Sequence, residues 1–150
     1  MEKKKYKIGY TTGVFDLFHI GHLNVLRRAK EQCDYLIVGV STDELVESYK
    51  HKKPVICFAE RTAIVEAIRY VDKVVPQTSR DKLAAWEELR FHKMFVGDDW
   101  KGSELFTKVE QELKKRGSEV VYFPYTQGTS STKLTQTLDN INEKAEKKNG

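Results

Sequence analysis

Short β-rich runs alternate with helical runs along most of the chain, and this alternation is the strongest constraint on its fold. Residues 35–40 form an almost continuous apolar run, which is typical of a strand buried on both faces. Because parallel strands are joined by right-handed helical crossovers, the alternation predicts an α/β fold with a doubly wound parallel sheet. Strands are predicted at 6–10, 35–40, 73–75, 94–96 and 119–123, and helices at 22–32, 43–45, 59–68, 81–89, 105–115 and 131–138.

Two histidines lie three residues apart where the first predicted strand leads into the first predicted helix: His19 and His22, with Gly21 just before the second. In a doubly wound sheet such junctions present ligand-binding groups, because free backbone N–H groups and the positive end of a helix meet there. Side chains at i and i+3 share a helix face, so both imidazoles can contact one phosphate, and glycine lets it approach the backbone. The alternative is that one histidine caps the helix and the other packs. The pair with its glycine favours a phosphate site.

Composition indicates an ordinary globular domain. The 150 residues suffice for one domain with a core, and 39% of them are hydrophobic and 32% charged. No apolar run approaches the ~18 residues that a membrane span needs, and no apolar signal-peptide core follows the charged residues 1–5. Cys33 and Cys57 lack the spacing of a metal site or a disulfide framework, so we expect reduced thiols and a cytoplasmic protein.

The net charge of +4 suits an anionic small-molecule substrate. A nucleic-acid partner is the alternative reading of this charge, but no basic stripe interleaved with aromatic residues supports it. We expect a single domain over residues 1–139. The tail at 140–150 is rich in Lys, Glu and Asn, and we expect it to be disordered.

Two later segments carry groups suited to a nucleotide and its metal ion. Asp98 and Asp99 follow a predicted strand, where carboxylates lie at the ligand-binding edge of such a sheet and can hold Mg²⁺ together with substrate phosphates. The glycine and hydroxyl residues at 125–133 precede a predicted helix, where N–H and O–H groups bind phosphate. The alternatives are a simple Gly-Asp turn and an ordinary helix-capping cluster.

These motifs together resemble the nucleotidyltransferase superfamily with its HxGH signature, and within it the cytidylyltransferases, most closely the bacterial glycerol-3-phosphate cytidylyltransferases. The resemblance extends from about Lys5 to Leu138. It implies a Rossmann-like fold, CTP and a phosphorylated alcohol as substrates, Mg²⁺ as cofactor, and transfer of CMP with release of pyrophosphate. It also implies a supply of precursors for cell-wall or capsule polymers.

The resemblance assigns roles to individual residues. It implies that His19 and His22 hold the triphosphate and stabilise the pentavalent centre, while Lys50 and Lys52 in a basic loop bridge the donor and acceptor phosphates. It places Lys50, Arg61 and Lys82 at the acceptor, and Asp16 and Asp99 at the metal. The nucleotide-binding residues that it implies are Val14, Phe15, His19, Gly21, His22, Lys52, Asp99, Thr126, Gly128, Thr129, Ser130, Ser131 and Thr132.

The run Arg69-Tyr70-Val71-Asp72 matches a segment that family members use at a homodimer interface. Because a two-fold axis pairs the same patch on both subunits, we expect Arg69 and Asp72 to meet across it.

One departure from the family pattern leaves the substrates open. Tyr125 and Gln127 stand where the resembling enzymes carry an arginine and often an acid, so one positive charge expected near the nucleotide is missing. The acceptor could be glycerol 3-phosphate, phosphocholine, phosphoethanolamine or another polyol phosphate, and the base could be adenine. No aromatic cage for choline is obvious, although Trp86, Trp100 and Tyr125 could contribute to one. A non-catalytic nucleotide-binding domain is the further alternative.

Overall fold

Within residues 7–124 and 134–141, which the computed structural model describes, five parallel strands form one sheet. They are β1 (Ile8–Gly13), β2 (Tyr35–Ser41), β3 (Lys73–Gln77), β4 (Lys93–Gly97) and β5 (Glu119–Phe123), arranged in the order β3-β2-β1-β4-β5. At Asp99 only the backbone is described. The predicted doubly wound, Rossmann-like α/β fold is confirmed.

Helices join the strands, and several of them begin at a side chain that caps the first turn. The helices are α1 (Ile20–Glu31), α2 (Asp43–Lys50), α3 (Phe58–Glu66), α4 (Lys82–Leu89), α5 (Glu104–Lys115) and α6 (134–141). The side chains of Thr42, Asp81 and Ser103 accept hydrogen bonds from the first turns of α2, α4 and α5. No helix among the described residues is long and apolar enough to cross a membrane.

Most element boundaries differ from the prediction by a few residues, and two of the differences concern Lys50 and the tail. Helix α2 continues to Lys50, so this lysine lies on the last helical turn and not in a loop, and His51 ends the helix in the left-handed conformation with φ 55°. Helix α6 continues through residue 141, and the remaining tail at 142–150 lies outside the described residues. The predicted disorder of the tail therefore stays a prediction.

The core has two layers because neighbouring residues of each strand face opposite sides. On one face, Leu26 of α1 and Val65 of α3 pack with Val38 and Phe95. On the other face, α5 packs through Phe106 and Leu113 against a cluster that includes Ile37, Tyr10 and Met94. This double burial explains the continuous apolar run in β2.

The strand order reverses at β1. The chain leaves β1 through α1 to β2 and β3 on one side, and later returns to β4 and β5 on the other. The carboxyl ends of β1 and β4 are therefore neighbours, with Thr11 paired to Phe95. Open α/β sheets bind ligands in the crevice at such a switch point.

Candidate active site

A cleft of 1420 Å³ lies over the carboxyl ends of the strands. Its walls come from the β1–α1 turn, from α2 and the segment after it, from the start of α4, and from parts of α5 and α6. The structure brings most of the predicted site residues together here: Val14, Phe15, Asp16, His19, Gly21, His22, Lys50, Lys52 and Lys82.

The two histidines together cap the start of helix α1, because each side chain accepts a hydrogen bond from a backbone N–H group there. Nδ1 of His19, the N-cap residue, accepts a hydrogen bond from the Gly21 backbone N–H at 3.0 Å. Nδ1 of His22 accepts one from the His19 backbone N–H at 3.2 Å. The ring centroids lie 4.1 Å apart, and the His22 ring also contacts Phe15 and Phe18. Capping and packing are thus real, and the cap uses only Nδ1 of each ring.

The capping bonds select one tautomer of each imidazole. Because Nδ1 accepts in both rings, the proton of the neutral ring lies on Nε2, which is then a donor. Burial lowers the pKa of both histidines, and the neighbouring His19 lowers that of His22 further, to about 4. Near neutral pH the cleft therefore holds two neutral imidazoles with Nε2–H groups, a donor set suited to phosphate oxygens.

The turn that carries the histidines has an unusual backbone. Phe15 and Leu17 adopt positive φ angles of 55° and 50°, which non-glycine residues rarely do. Phe15 is held there because its buried ring packs into the core cluster of α1 and α3. Gly13 makes room for that ring, since a Cβ at position 13 would lie 3.0 Å from it. Such conformations concentrate at functional sites.

Lys82 points into the cleft and not to solvent. Its Nζ donates a hydrogen bond to Thr12 Oγ1 at 3.0 Å. Burial, followed by the charge of Arg80, lowers the pKa of Lys82 to about 8. The first residue of α4 thus carries an amine held at the carboxyl end of β1, where its positive charge suits an anion.

Lys50 and Lys52 reach the cleft from the end of α2 and the segment that follows it. Lys52 Nζ forms an ion pair with Asp139 Oδ2 of α6 at 3.2 Å, and both side chains are about half exposed. Exposed pairs of this kind are weak, so Lys52 can exchange Asp139 for another anion.

Arg61, predicted to bind the acceptor, does not reach the cleft. Its side chain is 1% exposed, and its guanidinium donates to the backbone carbonyls of Val14, Ser41 and Ile56 and to Asp43 Oδ1. All the donor groups face protein, because the guanidinium fills the space where four chain segments meet. Arg61 is therefore a structural residue that holds in place the chain segments around the cleft.

Asp16, predicted to bind the metal, also has a structural partner. Its two carboxylate oxygens accept hydrogen bonds from the backbone N–H groups of Val55 and Ile56, at 2.7 and 2.9 Å. The carboxylate thus ties the turn after β1 to the segment before α3. With both oxygens engaged by backbone donors, Asp16 is poorly suited to coordinate Mg²⁺, and Asp99 remains the candidate.

Asp99 lies in the short 3₁₀ turn Asp98–Trp100, directly after β4. Among the described residues no group of three His, Cys, Asp or Glu could hold a metal ion. A Mg²⁺ ion needs only one or two carboxylates when substrate phosphates supply the other ligands, so the Mg²⁺ site at Asp99 stays a prediction. The predicted phosphate-binding residues Thr126, Gly128, Thr129, Ser130, Ser131 and Thr132, with Tyr125 and Gln127, lie outside the described residues.

The structure describes a single chain, so the predicted meeting of Arg69 and Asp72 across a dimer axis stays a prediction. Asp72 Oδ2 already accepts from the Leu36 backbone N–H at 2.8 Å and from Lys30 Nζ at 2.5 Å within the same chain. These bonds fasten the turn before β3 to α1 and β2. Arg69 is exposed and lies over the ring of Tyr70, so these two residues remain the candidates for a dimer contact.

Several residues of the cleft wall were missed from the sequence. Thr12 binds Lys82, and Ser41 Oγ donates to Gln77 Oε1 at 2.7 Å where β2 and β3 end together. Tyr49 and Arg80 also line the cleft. The common signal is a polar residue at or just after the carboxyl end of a strand, which points to Thr12, Ser41 and Gln77 once the parallel sheet is accepted.

Comparison with known proteins agrees with this geometry. The family model described as cytidylyltransferase-like matches residues 10–141. A glycerol-3-phosphate cytidylyltransferase of Staphylococcus aureus is 40% identical over 129 residues, which cover 85% of this chain and 92% of the relative. The protein of the same name from Bacillus subtilis is 40% identical, with 85% and 94% covered. An FAD synthase of Thermococcus kodakarensis is 34% identical, with 95% and 97% covered.

Solved structures share the fold at lower identity. A lipopolysaccharide core biosynthesis protein from Thermoplasma volcanium has a TM-score of 0.68 at 24% identity, covering 83% of this chain and all of that one, 100%. A pantothenate synthetase from Thermus thermophilus has a TM-score of 0.61 at 14% identity, covering 87% and 62%. These two show the fold alone. The family model, the relatives and the capped histidine pair at the switch point agree, and the chain belongs to the cytidylyltransferase-like family of nucleotidyltransferase enzymes.

Proposed function

We propose that the protein transfers CMP from CTP to glycerol 3-phosphate, which gives CDP-glycerol and pyrophosphate. The observation that carries the proposal is a pair of neutral Nε2–H imidazoles in a cleft that Lys50, Lys52 and Lys82 also line. The choice of substrates follows three relatives named glycerol-3-phosphate cytidylyltransferase, which are 38–40% identical over 85–87% of this chain.

The reaction forms one P–O bond and breaks another. An oxygen of the acceptor phosphate attacks the α-phosphorus of CTP in line, and pyrophosphate leaves with the electrons of the broken bond. A phosphate monoester is already anionic at neutral pH, so no strong base is needed. Catalysis then depends mainly on positioning and on stabilisation of the charge that develops in the transition state.

The residues of the cleft divide these tasks. His19 and His22 donate Nε2–H hydrogen bonds to triphosphate oxygens and stabilise the pentavalent centre. Lys50 and Lys52 neutralise charge between the donor and acceptor phosphates, and Lys82 binds the acceptor phosphate. Preorganised donors of this kind typically contribute ~3–4 kcal/mol each to transition-state stabilisation.

Asp99 would hold Mg²⁺ together with the triphosphate, and the bound ion would neutralise part of the triphosphate charge. Val14, Phe15 and Gly21 would contact the nucleotide along the β1–α1 turn. Ser130, Ser131 and Thr132 would bind the β- and γ-phosphates. The charge missing at Tyr125 would then be replaced by the cleft lysines and not by Arg61, which is buried.

A second candidate is adenylyl transfer to a flavin phosphate. It is favoured by the FAD synthases, which are 31–34% identical over 95% of this chain. They are more distant than the glycerol-3-phosphate cytidylyltransferases, so this function ranks second. Cytidylyl transfer to phosphocholine, phosphoethanolamine or another polyol phosphate uses the same chemistry, and a non-catalytic CTP-binding domain would bind without turnover.

We also propose that the protein is a cytoplasmic homodimer, with Arg69 and Tyr70 at the interface and CTP drawn from the cytoplasmic pool. In this setting CDP-glycerol would supply cell-wall or capsule polymers. The resemblance of the segment at residues 69–72 to the family's dimer contact supports the assembly, and Arg69 is exposed.

A single experiment tests the proposal against its alternatives. The purified protein is incubated with Mg²⁺, with CTP or ATP, and with glycerol 3-phosphate, phosphocholine, phosphoethanolamine or FMN, and pyrophosphate release and nucleotide products are measured. We expect CDP-glycerol as the main product. FAD from ATP and FMN would establish the second candidate, and CTP binding without product would establish a non-catalytic domain.

A further inference from the structure

Three cations lie together at one end of the cleft, on the side of β2 and β3. Lys50 ends α2, Arg80 lies between β3 and α4, and Lys82 begins α4. The guanidinium carbon of Arg80 lies 4.5 Å from the centroid of the Tyr49 ring, and Lys50 Nζ lies 5.8 Å from the same centroid. Because a cation is attracted to an aromatic face, Tyr49 positions the two outer cations.

In the part of the chain that the structure describes, no carboxylate is paired with these three cations, Lys50, Arg80 and Lys82. The carboxylate of Asp81 lies between two of them in sequence, but it accepts from the backbone N–H groups of Leu83 and Ala84 and so caps α4. Cations held together without a carboxylate repel one another, and a bound anion removes that repulsion.

We propose that Arg80, held on the face of Tyr49, completes an anion subsite together with Lys82. This subsite selects phosphorylated acceptors that carry no positively charged group of their own. This inference rests on the proposed function and deepens it, because it names the class of acceptor: an anionic polyol phosphate. The guanidinium fork suits two phosphate oxygens at once, whereas Lys82 supplies a point charge from the cleft floor.

The same arrangement disfavours zwitterionic acceptors. An aromatic face is the usual binding site for a quaternary ammonium group, but the face of Tyr49 is occupied by the Arg80 guanidinium. The ammonium of phosphocholine or phosphoethanolamine would also approach Lys50 and Lys82, which carry the same charge. Selectivity therefore comes from repulsion of the wrong acceptor as well as attraction of the right one.

Steady-state kinetics of three variants test this role. Arg80→Gln should raise the KM for glycerol 3-phosphate on the order of tenfold and leave the KM for CTP unchanged. The ratio of kcat/KM for glycerol 3-phosphate to kcat/KM for phosphocholine should fall by a similar factor. Tyr49→Leu should act in the same direction, since it removes the ring that positions Arg80. Tyr49→Phe keeps the ring and should behave like the wild type.

The matched control is Arg90→Gln. Arg90 also lies over an aromatic ring, 4.4 Å from the centroid of Trp86, but it does not line the cleft. The Arg90→Gln substitution removes one positive charge from a ring face outside the cleft, so the kinetic constants of this variant should equal those of the wild type. Circular dichroism melts establish that each variant is folded.

The outcomes separate this inference from the proposed function. A wild-type protein that forms no CDP-glycerol overturns the proposed function. A wild type that forms CDP-glycerol, with an Arg80→Gln variant whose KM for glycerol 3-phosphate is unchanged or whose KM for CTP rises instead, overturns the inference alone. If turnover is too slow to measure, calorimetric titration with glycerol 3-phosphate decides: weaker binding by Arg80→Gln supports the subsite, and equal binding overturns it.

Discussion

Arg61 and Val14 join helix α3 to the turn that carries the histidine pair: the guanidinium donates a hydrogen bond to the Val14 carbonyl at 2.6 Å. The same guanidinium also bonds the end of β2 through Ser41 and the start of α2 through Asp43. One buried cation therefore holds the segments that position both the histidines and Lys50.

Replacing Arg61 should destabilise the fold before it changes any substrate contact. Lysine cannot reproduce bonds to three carbonyls and a carboxylate, and each buried acceptor left without a donor costs about 1–3 kcal/mol. We expect Arg61→Lys to lower the free energy of unfolding by roughly 3 kcal/mol in urea denaturation. Arg27→Lys, at an exposed position of α1, is the control. Full stability of Arg61→Lys together with a raised KM for the acceptor would restore Arg61 to the substrate site.

The two functions of each histidine can be separated by asparagine. Its side-chain oxygen can replace Nδ1 as the capping acceptor, but it offers no donor at the Nε2 position. We expect His19→Asn and His22→Asn to keep near-normal thermal stability and to lose roughly 10²–10³-fold in kcat. His92→Asn is the control, because His92 also accepts a backbone bond through Nδ1, from Ile8, outside the cleft. Near-normal turnover of both site variants would contradict the assignment.

The metal dependence should distinguish Asp99 from Asp16. Asp99→Asn removes the carboxylate that we assign to Mg²⁺, so the Mg²⁺ concentration for half-maximal activity should rise. Asp16→Asn keeps one oxygen acceptor but sets an amide N–H₂ group against the other of the two backbone N–H groups, of Val55 or Ile56, which loosens that segment and lowers activity at every Mg²⁺ concentration. A Mg²⁺ titration of each variant decides. A shifted half-saturation for Asp16→Asn alone would reverse the two roles.

Deprotonation of Lys82 should lower the kcat/KM for the acceptor at basic pH. Its pKa is lowered to about 8 by burial and by Arg80, so the free enzyme loses this positive charge as the pH rises through about 8. The kcat/KM for the acceptor reports groups of the free enzyme, and we expect it to fall above that pH. In Lys82→Arg the guanidinium stays charged, so the decline should move to higher pH. Identical pH profiles for the two proteins would exclude Lys82 from acceptor binding.

The dimer contact can be tested with one charge reversal. Arg69→Glu replaces a guanidinium by a carboxylate on both sides of the two-fold axis, so any partner group that accepts a hydrogen bond from Arg69 then faces another acceptor, and sedimentation velocity at micromolar protein should show a monomer. Asp72→Asn should instead lower thermal stability, because Asp72 bonds Leu36 and Lys30 within one chain. A wild-type monomer at the same concentration would refute the assembly.

Periodicity predicted the secondary structure well where it reflects local burial. Strand β5 was placed at its observed bounds, 119–123, and α1 was found within two residues of its true start. The start was missed because His19, which is not a usual capping residue, caps the helix through Nδ1. The length of α2 was missed because its end depends on the left-handed conformation of His51 and not on a glycine or proline.

The sequence pattern alone identified site residues where they lie close together in the chain. The histidine pair belongs to one strand-to-helix junction, so spacing alone identified it. Arg61 was misassigned because its partners, Val14, Ser41 and Asp43, lie 18–47 residues away in sequence. A charged side chain is expected to be exposed from sequence alone, and only the fold shows which carbonyl groups surround it.

The reversal of strand order at β1 has an evolutionary consequence. One wall of the cleft is encoded between residues 35 and 82, and the opposite wall between residues 93 and 141. A gene can therefore exchange or mutate the first stretch and alter the accepted alcohol without rewriting the second. With the acceptor bound by Lys50, Arg80 and Lys82 as proposed, a mutant library aimed at new acceptors needs to cover only the first stretch.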